Sequence, residues 1–138
     1  MNAPLYTTEI LRLAASLEEP HPLEREDGRA ELRSPTCGST ISTAVQLDHD
    51  GRVAALSQVV QACAFGQAAA TLVQRHALGL SRGDTAAVVS GAEAWLGGDD
   101  ARSAEWLAPL APARSKTGRH GAILLPLRAL LAAMDSAL

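Results

Sequence analysis

Residues 40–60 carry the strongest constraint on the fold, because they read as a β-hairpin. Residues 40–47 alternate through Ile41, Thr43, Val45 and Leu47, and residues 52–60 are rich in Val, Ala and Leu. A period of two sends alternate side chains to opposite faces, the pattern of a half-buried strand. Between the runs stands Asp48-His49-Asp50-Gly51, whose glycine can take the positive φ that tight hairpin turns require. A shorter run over residues 29–33 alternates through Ala30 and Leu32. Three such neighbours imply a small antiparallel sheet of about three strands, and a sheet with one apolar face needs helices to cover it.

The remaining periodicity supplies those helices. Leu5, Ile10, Leu11, Leu13, Ala14 and Leu17 recur at helical spacing, with Thr7 or Thr8 placed to cap the start and Pro20 ending the helix near Glu19. Residues 20–28 combine Pro20 and Pro22 with the run Glu24-Arg25-Glu26-Asp27 and read as a solvated arm. After Cys63 a run of small residues predicts a helix that stops near Gly79. A third helix is expected from Asp84 as N-cap to Leu96, before Gly97-Gly98. A short helix is expected over residues 101–107, ahead of Pro109 and Pro112. The last runs from about His120 to Ala137 and buries Ile123, Leu124, Leu127, Leu130, Leu131 and Met134, with Pro126 expected to kink it. The fold class is α+β, and residues 1–138 are read as a single domain.

Composition narrows the function. The net charge is −3 with 12 basic residues, all but Lys116 being arginine and none forming a dense patch. With 1 Phe and 1 Tyr, the chain lacks both the electrostatic footprint and the stacking platforms of a nucleic-acid binder. No apolar run approaches the roughly 18 residues of a membrane span. The first residues, Met1-Asn2-Ala3-Pro4-Leu5, carry neither a basic nor a long apolar segment, so a cytoplasmic protein with reduced thiols is expected. Phosphate-loop, nucleophile-elbow and dinucleotide fingerprints are absent, which points away from an enzyme.

The chemistry rests on Cys37, in Ser34-Pro35-Thr36-Cys37-Gly38-Ser39, and Cys63, in Gln61-Ala62-Cys63-Ala64-Phe65-Gly66. Thiolates are soft ligands for iron–sulfur clusters and zinc, and free amides at a helix start favour the thiolate. A lone cysteine is more often a small buried hydrophobe, and neither belongs to a Cys-x-x-Cys pair. His120, in Gly118-Arg119-His120-Gly121, is a third candidate donor, whereas His21, His49 and His76 fall in a proline loop, a turn and a helix end where solvation suffices. Arg114, Lys116 and Arg119 either dock an acidic partner surface or form a solvated loop.

Taken in order, Ser34-Pro35-Thr36-Cys37-Gly38, the hairpin, Cys63 opening a small-residue helix and the final helix after His120 resemble the U-type iron–sulfur cluster assembly scaffolds, over nearly the whole chain. The resemblance implies a small antiparallel sheet backed by helices, with ligands grouped at one end. Family members present three cysteines and an aspartate. Here Cys37 and Cys63 match the first two cysteines, and His120 matches a histidine found in one branch. Ser39 stands at the aspartate position and Gly121 at the third cysteine.

What the resemblance implies is a scaffold that transiently binds iron and sulfide or a labile [2Fe–2S] cluster at Cys37, Cys63 and His120, receives sulfur from a cysteine desulfurase and serves apo iron–sulfur acceptor proteins. A homodimer in which each chain gives Cys37 and Cys63 would supply four thiolates. The alternatives are a degenerate relative that binds a desulfurase or another assembly partner without a cluster, and a zinc-bound sulfur acceptor. The segment Leu110-Ala111-Pro112-Ala113-Arg114 lacks the pattern by which a dedicated chaperone recognises one branch of the family.

Overall fold

The computed structural model describes residues 6–35, 38–100 and 105–137. Among the described residues, four α-helices and three strands follow in the order α1 (Thr8–Ala15), β1 (Gly28–Arg33), β2 (Thr40–Leu47), β3 (Val53–Gln61), α2 (Ala64–His76), α3 (Arg82–Leu96) and α4 (His120–Ser136), with 3₁₀ helices at Glu105–Ala113 and Thr117–Arg119. The sheet is antiparallel in the order β1-β2-β3, so the fold is α+β. No helix among the described residues is long and apolar enough to cross a membrane.

The register explains the core. Across the inner face run three rows: Gly28–Val45–Leu56, Ala30–Thr43–Gln58 and Leu32–Ile41–Val60. The first row belongs to the main core, with Phe65, Leu72 and Val73 of α2 and Ile123, Leu127 and Leu130 of α4. The third row forms a smaller cluster with Leu125 and Ala129. Between them Thr43 and Gln58 are buried, and the Thr43 hydroxyl and both amide atoms of Gln58 have no hydrogen-bond partner. α4 packs on β1, β2, α2 and α3 and is the central helix of the fold.

Local chemistry moved several expected boundaries. α1 stops at Ala15 rather than near Glu19, because the Ser16 amide takes the Arg12 and Leu13 carbonyls and the Glu18 amide is captured by Gln74 Oε1 at 3.0 Å. Asp84 is not the N-cap of α3. Ser81 is, and Asp84 at the third helical position returns its carboxylate to the Ser81 amide, closing a capping box. The predicted helix over residues 101–107 is instead a 3₁₀ helix at Glu105–Ala113 that contains Pro109 and Pro112; residues 101–104 lie outside the described ones. Proline can enter such a helix because its fixed φ suits the conformation.

The charged arm is also more than a solvated loop. It straps the outer face of the sheet. The His21 amide donates to Ser57 Oγ, the Arg25 guanidinium to the Leu47 carbonyl, the Asp27 amide to the Val45 carbonyl, and the Leu47 amide to Asp27 Oδ2 at 2.7 Å. The arm's own ion pairs, Arg25–Asp27 and Arg29–Glu26, hold it in shape.

Candidate functional site

At His120 the 3₁₀ turn Thr117–Arg119 passes into α4. Its half-buried ring turns back on the preceding segment, with Nε2 3.1 Å from the Ala113 carbonyl oxygen and 2.9 Å from that of Arg114. Carbonyl oxygens only accept, so Nε2 carries the hydrogen and shares it between them. The neutral ring then holds its lone pair on Nδ1. A ligating histidine is typically oriented in this way, with one nitrogen donating to a backbone carbonyl and the other left for a metal.

Arg114 locks this arrangement. Its Nε donates to the Trp95 carbonyl at 2.8 Å, its guanidinium lies 5.0 Å from the centre of the Trp95 ring and it pairs with Asp100 at 2.6 Å. The expectation of a solvated loop therefore fails for Arg114, whose charge is spent on fixing the backbone that receives His120. Lys116 remains exposed. His76, expected to be merely solvated, stacks on Trp106 with centroids 4.9 Å apart.

Cys63 is the N-cap residue of α2. Its backbone is extended, its side chain makes no capping bond, and its free thiol is half-buried against the main core. One turn further on, Gly66 permits the approach that defines this end of the molecule. A Cβ on Gly66 would lie 2.6 Å from Ala62 Cβ and 3.3 Å from the Ala122 carbonyl oxygen. That carbonyl is the one Pro126 cannot serve with an amide four residues on, so the proline and the glycine act on the same contact. The consequence is that the start of α2, with Cys63, packs on the first turn of α4, with His120 and Gly121.

Thr36 and Cys37 lie outside the described residues. The loop that carries them is pinched at its neck, where the Ser34 amide donates to the Ser39 carbonyl at 2.8 Å and the Gly38 amide to the Ser34 carbonyl at 3.1 Å. Gly38 has φ +72°, a left-handed conformation that glycine adopts without strain. Ser39 is buried in this neck, 4% exposed. The described residues thus pack the helix starts that carry Cys63 and His120 against each other, and among them no group of three or more His, Cys, Asp or Glu side chains is placed to hold a metal.

A groove of about 420 Å³ opens beside this point, between the end of β1 and the first turns of α4. Leu32, Leu124 and Leu125 form its apolar wall, Ser34 and Pro35 the side towards the Cys37 loop, and Arg33, Thr117, Gly121 and Arg128 complete it. Sequence reasoning did not find the groove, because Arg33 and Arg128 are far apart in the chain. Nor could it find the Ala113 and Arg114 carbonyls, since backbone acceptors have no residue signature.

No protein-family model matches the chain, and no curated protein matches it by sequence. Solved structures do. The N-terminal domain of a nitrogen-fixing NifU-like protein from Brucella abortus superposes with a TM-score of 0.87 at 25% identity, covering 96% of this chain and 94% of that one. A putative iron–sulfur cluster assembly scaffold protein for the SUF system from Fervidobacterium islandicum AW-1 superposes with a TM-score of 0.82 at 17% identity, covering 94% and 96%. By its fold, and by the order of the motifs around Cys37, Cys63 and His120, the chain resembles the U-type iron–sulfur cluster scaffolds.

Proposed function

We propose that the protein is a carrier in iron–sulfur cluster assembly, holding iron with sulfide, or a labile [2Fe–2S] cluster, through Cys37, Cys63 and His120. What supports this reading is the packing of the α2 start, which follows Cys63, on the first turn of α4, which begins at His120, with one nitrogen of the His120 ring already held by backbone carbonyls. The chemistry is ligand exchange. A thiol loses its proton to solvent on binding iron and regains one when the cargo leaves. The donors of sulfur and the recipients of cargo would be a cysteine desulfurase and apo iron–sulfur proteins, in the cytoplasm. No bond of a substrate is made or broken catalytically, so the role is that of a carrier rather than an enzyme.

Two features favour a second reading, in which the chain keeps the fold and binds an assembly partner without a cluster. Gly121 offers no donor, and Ser39 is buried in the loop neck. Zinc bound by Cys37, Cys63, His120 and water would be an open tetrahedral site, and it belongs to the same test. The test is purification without oxygen followed by iron, zinc and acid-labile sulfide per chain with the visible spectrum. Iron and sulfide near one cluster per site, lost in Cys63→Ala, support the carrier. Colour retained in Cys63→Ala removes Cys63 from the ligand set, and a colourless protein after reconstitution favours the second reading. One zinc that chelators remove, with a fall in Tm, favours zinc. Four thiolates from paired chains would give a dimeric loaded form by light scattering.

A further inference from the structure

β1 is an edge strand, paired with β2 alone in the order β1-β2-β3. Two hydrogen bonds fix the direction of its amides. The Ser34 amide donates to the Ser39 carbonyl, so even-numbered residues here face β2. The Arg29 amide donates to Ser136 Oγ at 2.9 Å, so odd-numbered residues face away from β2. The amides of Glu31 and Arg33 therefore point outward with that of Arg29, and no acceptor among the described residues receives either. The open stretch has defined ends, because Ser136 takes the outward amide before it and Pro35 after it has no amide to give. An unpaired edge of this kind is a template for another strand.

The side chains indicate which strand. Glu31 and Arg33 are exposed on the outer face of the sheet, and Leu32 is half-buried on the inner face, at the groove that it shares with Leu124 and Leu125. Neither charge has an ion-pair partner among the described residues. That alone means little, since Arg12 and Arg75 have none either. The order is what matters, because Glu31-Leu32-Arg33 read in the opposite direction is its own complement. An antiparallel pairing about a two-fold axis at Leu32 sets Glu31 opposite Arg33 of a second copy at both ends, with Leu32 opposite Leu32 between them. The outward amides make each Glu31–Arg33 pair a hydrogen-bonded one, in which the two residues exchange both N–H···O bonds, and the Leu32 pair a non-hydrogen-bonded one, in which side chains lie closer. Charges commonly guard an edge against pairing, but these two attract a copy of themselves.

We propose that the outer edge of β1 is a homodimer interface, in which Glu31-Leu32-Arg33 of two copies pair antiparallel and join the two sheets into one. The inference stands independently of the carrier reading. It also differs from a cluster shared between chains. At about 3.4 Å per residue the two loop necks at Ser34 stand about 14 Å apart, on opposite sides of the axis, so the pairing itself needs no metal. The contact is short, which places it among the weak interfaces that exchange with free monomer.

The experiment is sedimentation equilibrium of the metal-free protein from micromolar to millimolar concentration, where the mass is expected to rise from monomer to dimer. Glu31→Arg and Arg33→Glu each set like charges opposite one another at both ends of the joint, and each should raise the dissociation constant about tenfold or more. The double variant restores opposite charges at both ends and should return the dimer. Both side chains are exposed, so folding should survive, and circular dichroism checks it. In the unmodified protein, exchange of the Glu31 and Arg33 amides should slow as concentration rises. A chain that stays monomeric to millimolar concentration overturns the proposal, as does a dimer whose Glu31 and Arg33 amides stay unprotected or a double variant as weak as the single ones. A dimer that appears only on loading with iron and sulfide overturns it too, and points to thiolates shared between chains instead.

Discussion

The two ends of α4 are built on opposite plans. At its C-terminal end the helix is pressed against β1 so closely that a Cβ on Gly28 would sit 2.0 Å from the Ala133 carbonyl oxygen. The Arg29 amide donates to Ser136 Oγ there, and Arg82 pairs with Asp135. The hairpin turn and α3 are tied in beside it, through Arg52 to the Gly79 carbonyl and to Asp84. At its N-terminal end the same helix meets a groove whose Arg33 has no carboxylate partner among the described residues, and a histidine held there through Nε2. One end uses its polar groups up internally. The other carries the groove and the residues on which the proposed carrier role rests, and a division between a part that stabilises and a part that acts is common in folds.

The sharpest way to break that contrast is at Gly28. Gly28→Ala forces backbone apart, and we expect a loss of about 3 kcal/mol or more, read by urea unfolding with little change in the identity of bound metal in the folded fraction. At the other end, Gly66→Ala meets a methyl group at 2.6 Å rather than a carbonyl at 2.0 Å. It should cost about 1–3 kcal/mol, and it should also reduce retained iron and sulfide, because it moves Cys63 away from the first turn of α4. A Gly66 variant that loses stability but keeps its cargo would show that the α2–α4 contact does not set the site.

A third change sharpens the boundary between the two ends. Gln58 lies in the middle row of the sheet, 2% exposed with both amide atoms unpartnered, and divides the main core from the small cluster around Ile41 and Leu125. Gln58→Leu should stabilise the fold by about 1 kcal/mol, since it removes buried polar atoms without breaking a bond. Thermal unfolding checks the sign.

How much of this could be read beforehand depends on the range of the interaction. The hairpin was legible because period-two alternation and Gly51, with φ +77°, are local signals, and β2 falls on residues 40–47 as expected. The starts of α2 and α4 at Cys63 and His120 were legible for the same reason. Capping at Ser81 was missed because Ser81 and Asp84 are both good caps, and only the reciprocal bond to the Ser81 amide decides between them. The strap over the sheet was missed because its partners, Ser57, Val45 and Leu47, lie 18 to 36 residues away. For the proposed site, residue types made Cys63 and His120 candidates, but the groove joins Arg33 to Arg128 across the fold, and no local pattern encodes that meeting.

The smallest effects belong to the polar ties of the well-bound end. Ser81→Ala should cost about 1 kcal/mol by removing the cap of α3, without touching cargo. Acid should loosen the same region by a related route. The carboxyl of Asp84 is held below its ordinary range by the Ser81 amide and hydroxyl, that of Asp48 by the Arg52 and Asp50 amides, that of Asp27 by Arg25 and the Leu47 amide, and that of Glu26 by Arg29. A carboxylate whose folded value is depressed stabilises the fold above its unfolded value and loses that contribution as pH falls through the folded one, because the unfolded chain then binds more protons. Stability should therefore be retained above about pH 5 and fall progressively below about pH 4. Since these carboxylates lie on the strap, the hairpin turn and the start of α3, amide exchange in mild acid should rise there first. If exchange rises first around Cys63 and His120 instead, the ties at the hairpin end are not what distinguishes the two ends of the molecule.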